Sequence, residues 1–163
     1  MRISALGLVL AAAVLVSGCD SGGDEPTTTQ AAKDVSAWMD ELETTLTHGI
    51  QPLQPWQTSA DGSKDQKSGC DDGKARRTYA ATVDVPASGT PPDPDNAEAL
   101  LRGQLLTAAW DPSTSSNNDV SGTISAKRAK GDATGTKLTV DFSPVTGGWH
   151  YDLSARTACL PTE

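Results

Sequence analysis

From Lys74 onward the side chains alternate. Ala75, Tyr79, Ala81, Val83 and Val85 fall in one phase with Arg77, and Arg76, Thr78, Ala80, Thr82 and Asp84 fall in the other. Period two sustained over this length predicts a strand with one buried and one wet face. The same period returns in Leu138, Val140 and Phe142, and again in Trp149, Tyr151, Leu153, Ala155, Thr157 and Cys159. Val120, Gly122, Ile124 and Ala126 suggest a further strand before them. Residues 130–135 and 143–148 carry the Gly and Pro of chain reversals. Consecutive strands joined by short turns form an antiparallel meander.

Two stretches change to helical spacing. Val35, Trp38, Leu42 and Leu46 are three, four and four residues apart, which predicts a helix over residues 34–48 with one apolar face. Asp40, Glu41 and Glu43 lie off that stripe, and Gly49 is a natural stop. Asp93 followed by Pro94 reads as an N-cap carboxylate and a first-turn proline. Ala97, Leu100, Leu101, Leu105 and Ala108 form the apolar side of this second helix, which Trp110 closes before Pro112. Pro52 and Pro55 confine residues 50–56 to an edge strand or an extended connection, with Leu53 and Trp56 plugging the side of the core. Residues 61–69, 86–92 and 113–119 read as loops. Two helices with apolar stripes need cover, and one sheet face supplies it. The expected fold class is α+β: a two-layer sandwich, an antiparallel sheet of about four to five strands with two helices on one face.

The N-terminus has a different character. Arg2 gives a short positive start, residues 3–16 are almost uncharged Leu, Val and Ala, and small Ser17 and Gly18 precede Cys19. The run is short for a membrane span, which needs roughly 20 residues. Val16, Ser17, Gly18 and Cys19 resemble the lipobox of bacterial lipoproteins. The resemblance implies that the Cys19 sulfur is acylated, that the chain is cut before it, and that a third acyl chain can follow on the new amine. Two or more chains give stable attachment where one gives only marginal binding. The alternatives are an ordinary signal peptide with a chance cysteine, or an uncleaved anchor. The expected organisation is residues 1–18 signal peptide, 19–32 flexible tether and 33–163 one α+β domain. The tether reading rests on Ser21, Gly22, Gly23, Pro26 and a run of threonines without a large apolar side chain. Asp20 resembles an inner-membrane retention signal, which has no meaning in a single-membrane cell.

Export bears on the cysteines. With Cys19 lipidated, Cys70 and Cys159 remain, and an oxidising compartment favours a disulfide between them. Two free thiols are the alternative, or a shared metal with little help beyond His48 and His150. A bridge from the start of one strand to the end of another fits antiparallel neighbours, so the Tyr79 strand is expected beside the Tyr151 strand. Arg156, Thr157, Ala158, Cys159, Leu160 and Pro161, with Cys70 and the helix-then-meander order, resemble small secreted lipoproteins of actinobacteria, a group with no established activity to carry over.

The formal net charge is −8, and loss of Arg2 makes it one unit more negative. Such a chain repels phosphates, which argues against nucleic acid as a partner. It also gains nothing electrostatically from an anionic membrane surface, so the lipid must do the holding and the expected partner is the bilayer through acylated Cys19. No Gly-x-Ser-x-Gly elbow, His-Glu-x-x-His motif or phosphate-binding Gly loop is present. Asp93, Asp95 and Asn96 lack the spacing and glycine of a calcium loop. Arg76 and Arg77 read as a solvated strand start beside Asp71 and Asp72 rather than an anion site. His48 suits a helix C-terminus and His150 faces away from the apolar phase. The expectation is therefore no catalytic residue, no cofactor and no metal. A non-catalytic module that docks on an envelope protein or wall polymer is the first reading. A carrier of a small apolar ligand, lined by Trp38, Trp56, Trp110 and Trp149, is the second, and a hydrolase the third.

Overall fold

The computed structural model describes residues 25–47, 51–87, 94–117 and 121–163. Cys19, His48 and Asp93, which the sequence singles out, lie outside these residues. Two helices, α1 (Thr28–Thr47) and α2 (Pro94–Thr107), accompany eight strands. They are β1 (Gln54–Asp61), β2 (Lys74–Ala75), β3 (Thr78–Pro86), β4 (Trp110–Asn117), β5 (Gly122–Arg128), β6 (Lys137–Val145), β7 (Gly148–Arg156) and β8 (Leu160–Pro161). Six strands form one antiparallel sheet in the order β1-β3-β7-β6-β5-β4, and β2 pairs with β8 in a small separate sheet. The fold is α+β as expected, with six strands in the main sheet rather than four to five.

One phase of every inner strand is buried. Tyr79, Ala81, Val83 and Val85 of β3 share the core with Trp149, Tyr151, Leu153 and Ala155 of β7. Leu138, Val140 and Phe142 of β6 and Ile124 and Ala126 of β5 complete the sheet's share. Val35, Trp38, Leu42 and Leu46 of α1 and Ala97, Leu101 and Leu105 of α2 belong to the same cluster. α1 packs against β3, and α2 against β4 and β5, so the two helices divide one face of the sheet between them.

The register carries the expected neighbours. β3 and β7 pair without a slip from Thr78↔Arg156 to Pro86↔Gly148. The Tyr79 strand therefore lies directly beside the Tyr151 strand. Cys70 and Cys159 are bridged, with Cα atoms 5.5 Å apart. Thr157 pins the same end: its Oγ accepts from the Arg77 N–H at 2.8 Å and donates to the Ala158 carbonyl at 3.0 Å.

Several boundaries differ from expectation. α1 starts at Thr28, six residues before Asp34, and Thr28, Ala31 and Ala32 are buried. A capping box sets this start. The Gln30 N–H donates to Thr27 Oγ1 at 3.3 Å, and the Thr27 N–H donates to Gln30 Oε1 at 2.7 Å. Residues 28–32, which the sequence assigns to the tether, therefore belong to α1.

Trp110 does not close α2; it opens β4. Ala109 takes φ 59°, the left-handed turn usually given to glycine, and reverses the chain straight into the strand. Residues 113–117 are then part of edge strand β4, not a loop, and a register shift next to Pro112 accommodates the missing donor. The strand starting at Lys74 is broken at Arg76, so β2 goes to the small sheet and β3 to the large one. The last alternating run splits in the same way: β7 ends at Arg156, and β8 lies beyond Cys159. At the β6–β7 turn both strands extend further than the Gly and Pro content suggests. Pro144 stays in β6 because β5 pairing ends at Phe142, so only β7 faces it.

Two predictions follow from the core and the bridge. Burial pushes the phenols of Tyr79 and Tyr151, the protein's only tyrosines, up to about 12. The Tyr79 hydroxyl also donates to the Ala32 carbonyl at 2.7 Å. A folded-state pKa above the unfolded one stabilises the fold below about pH 10 and loses that contribution as pH rises towards 12. Ultraviolet titration of folded protein should show little tyrosinate at pH ~10.5, and urea unfolding should show stability falling from there. Half-ionisation of both phenols near pH ~10 would contradict the burial. The bridge spans 89 residues, and on the chain-entropy model Cys70→Ser with Cys159→Ser lowers the unfolding free energy by about 4–5 kcal/mol. Urea denaturation with and without reductant checks this.

Candidate functional site

The face of the sheet opposite the helices is wet, and its register gathers polar groups in rows. One row crosses three strands as Asp84, His150 and Ser143. The next is Thr82, Asp152, Asp141 and Thr123. Ala80, Ser154, Thr139 and Ser125 come next, followed by Thr78, Arg156, Lys137 and Lys127. All are side chains of the phase opposite the core, as alternation requires.

His150 Nδ1 lies 2.5 Å from Asp84 Oδ1. Ser143 is the direct partner of His150 on β6, yet no hydrogen bond joins the two among the described residues. The row therefore holds the residue types of a serine–histidine–aspartate triad and the histidine–aspartate contact, without a base on the hydroxyl. A nucleophilic serine needs that contact at about 2.6–3.2 Å. Beside the pair, Thr123 Oγ1 donates to Asp141 Oδ1 at 2.5 Å. A shallow hollow of about 270 Å3 opens here, lined by Ser121, Thr123, Asp141, Ser143, His150 and Asp152 among others.

A larger hollow, about 630 Å3, lies at the β1 edge. Its walls are Thr58, Ser59, Asp61, Ser63, Lys64 and Gln66 and their neighbours, all small or polar. Between α1 and β1 a third hollow of about 140 Å3 has Met39, Trp56 and Tyr79 in its wall. That volume is well under the ~300 Å3 of an ordinary small-molecule pocket. The other three tryptophans are packed. Trp38 and Trp110 have ring centroids 4.6 Å apart, and Trp149 meets Phe142 edge-on at 5.9 Å. Trp56 is partly buried against the core, as the sequence suggests, whereas Leu53 is 47% exposed.

Among the described residues the arginine pair makes no salt bridge to Asp71 or Asp72. Arg77 Nε pairs with Asp65 Oδ1 at 2.7 Å, and its Nη2 donates to Thr29 Oγ1 at 3.2 Å. Arg76 wraps the disulfide, with Nε 3.3 Å from Cys70 Sγ and Nη2 donating to the Gly69 carbonyl at 2.6 Å. Arg128 gathers another junction: it pairs with Asp34 at 2.8 Å, donates to the Ala108 carbonyl, and lies 5.7 Å from the Trp110 ring centre.

Among the described residues no group of three or more His, Cys, Asp or Glu is placed to hold a metal. None of the described helices is long and apolar enough to cross a membrane. No protein-family model matches the chain, and neither a curated protein nor a solved structure matches it.

Asp84 is the functional-face residue that periodicity alone misses. Its pairing with His150 depends on the exact β3–β7 register, which alternation leaves free by steps of two. The disconnected hydroxyl predicts an inert serine. A fluorophosphonate probe should leave Ser143 unmodified in a tryptic mass map. Labelling at Ser143 that is lost in His150→Ala would overturn that reading.

Proposed function

We propose that the chain is an extracytoplasmic lipoprotein, held on the membrane by acyl groups on Cys19, whose α+β domain is a non-catalytic docking module. The observation that carries the reading is Val16-Ser17-Gly18-Cys19 closing an uncharged apolar run. A water-compatible domain follows, with two helices and a six-stranded sheet packed on one core. The bridge between Cys70 and Cys159 suits an oxidising compartment and leaves Cys19 as the one cysteine for acylation.

The docking reading is favoured over the carrier by where space lies. The hollows at the β1 edge and on the outer sheet face are open, and the larger one, at the β1 edge, is walled by small and polar residues. The one against Trp56 is small for an apolar ligand. A flat face of Ser, Thr and Asp offers hydrogen bonds to a protein or a wall polymer without a catalytic constellation. A hydrolase would need a base on a nucleophile, and Ser143 has none among the described residues.

Cys19→Ala tests the anchor. The variant should carry no acyl mass at residue 19 and either accumulate as uncleaved precursor or, where it is cut, appear in the soluble fraction with its Cys70–Cys159 bridge intact. Membrane retention of a cut Cys19→Ala chain would contradict lipid anchoring.

A further inference from the structure

The chain is acidic overall, but its charge is segregated along the strands. α1 runs from Thr28 at the disulfide end to Thr47 at the other. The far end carries Asp40, Glu41 and Glu43 of α1 and Asp84 of the sheet, while Asp141 and Asp152 lie at mid-strand. Among the described residues, every Lys and Arg except Arg102 of α2 lies towards the disulfide end. Several are neutralised there: Lys74 by Glu25, Arg77 by Asp65 and Arg128 by Asp34. Asp71, Asp72, Asp132 and Glu163 also belong to this end, so it is close to neutral as a whole.

One row on that end is different. Lys127, Lys137 and Arg156 stand directly opposite one another on β5, β6 and β7. All three are exposed, and among the described residues none is in an ion pair. Asp111 closes the row on β4 opposite Lys127 without a salt bridge to it, and Thr78 closes it on β3. Like charges directly opposite on a sheet are destabilising. At strand spacings near 4.8 Å the three cations span about 10 Å.

The row sits where the chain enters the domain. Arg156 pairs with Thr78, the next residue to Arg77, whose guanidinium bonds Thr29 in the first turn of α1. The capping box fixes the chain at Thr27. From Cys19 to Thr27 is eight residue steps, at most about 29 Å fully extended.

We propose that the Lys127–Lys137–Arg156 row docks on anionic lipid headgroups of the membrane that holds Cys19, with the acidic end turned outward. The proposal rests on the anchoring reading, because the short leash brings this end of the domain to the bilayer. Each Lys or Arg near an anionic leaflet favours binding by about fivefold. The net charge of the whole chain hides this, since the row and the acidic end lie towards opposite ends of the strands and charges more than about 8–10 Å apart are screened from each other in salt.

The test uses the native lipidated protein in vesicles of phosphatidylcholine alone and of equal phosphatidylcholine and phosphatidylglycerol. Brief amine acetylation followed by peptide mass spectrometry reads Lys127 and Lys137. In the anionic vesicles both should label at least about threefold more slowly, and about 0.5 M salt should remove the difference. Arg156→Gln should weaken the protection while leaving the disulfide map unchanged. Equal labelling in both vesicle types, with the protein floating with both, overturns the docking row but not the anchor. Protection that persists in neutral detergent micelles assigns the row to another copy of the chain and also overturns it. A native chain that floats with neither vesicle type overturns the anchor itself.

Discussion

β7 is paired without interruption on both sides, to β3 and to β6, and the rest of the molecule depends on that double register. A slip of one residue would turn Trp149, Tyr151, Leu153 and Ala155 out to water and bring His150, Asp152, Ser154 and Arg156 inward. The register is pinned at one end by the Cys70–Cys159 bridge, the Thr157 hydroxyl on the Arg77 backbone, and the small β2–β8 pair. It is closed at the other by the two-residue reversal at Thr146 and Gly147 between Val145 and Gly148. The helices then have one continuous apolar surface to cover, and the opposite face is left mostly to polar side chains.

The junction around Arg128 joins the halves of the helix layer. Its guanidinium reaches Asp34 on α1 and the Ala108 carbonyl at the end of α2 while lying by Trp110, whose ring packs on Trp38. Asp34 Oδ2 in turn accepts from the Ala133 N–H at 3.1 Å, tying the β5–β6 turn to α1. A charge so placed is held by a partner carboxylate, a carbonyl and an aromatic ring rather than by water, which fits its partial burial.

Much of this was legible in the residues. Alternation marked β3, β5, β6 and β7 because one face is buried, and 3.6-residue spacing marked the middle of α1 and the buried side of α2. What alternation could not show were features without an apolar signature. The first turn of α1 is written in threonines and alanines, and its evidence is the Thr27–Gln30 capping box rather than hydrophobic spacing. β4 is an edge strand of polar residues interrupted by Pro112, so it reads as loop, and the stop before it uses Ala109 where a glycine would have announced it. Leu100, 51% exposed, shows the converse error: an apolar residue near the stripe is not always under it. On the outer face, His150 was correctly placed facing away from the core. Its partner Asp84 is 66 residues away and visible only once the strands are in register.

These features share one consequence for function. On the proposed anchoring, a short link from Cys19, the basic row and the acidic far end would give the domain a membrane side and an outward side. All of it presumes a modified residue 19. The most direct measurement is mass spectrometry of the N-terminal peptide from protein purified out of native membranes. The expected result is a peptide beginning at Cys19 and carrying a diacylglyceryl mass on sulfur. A free thiol there, or a mature N-terminus elsewhere, would contradict it.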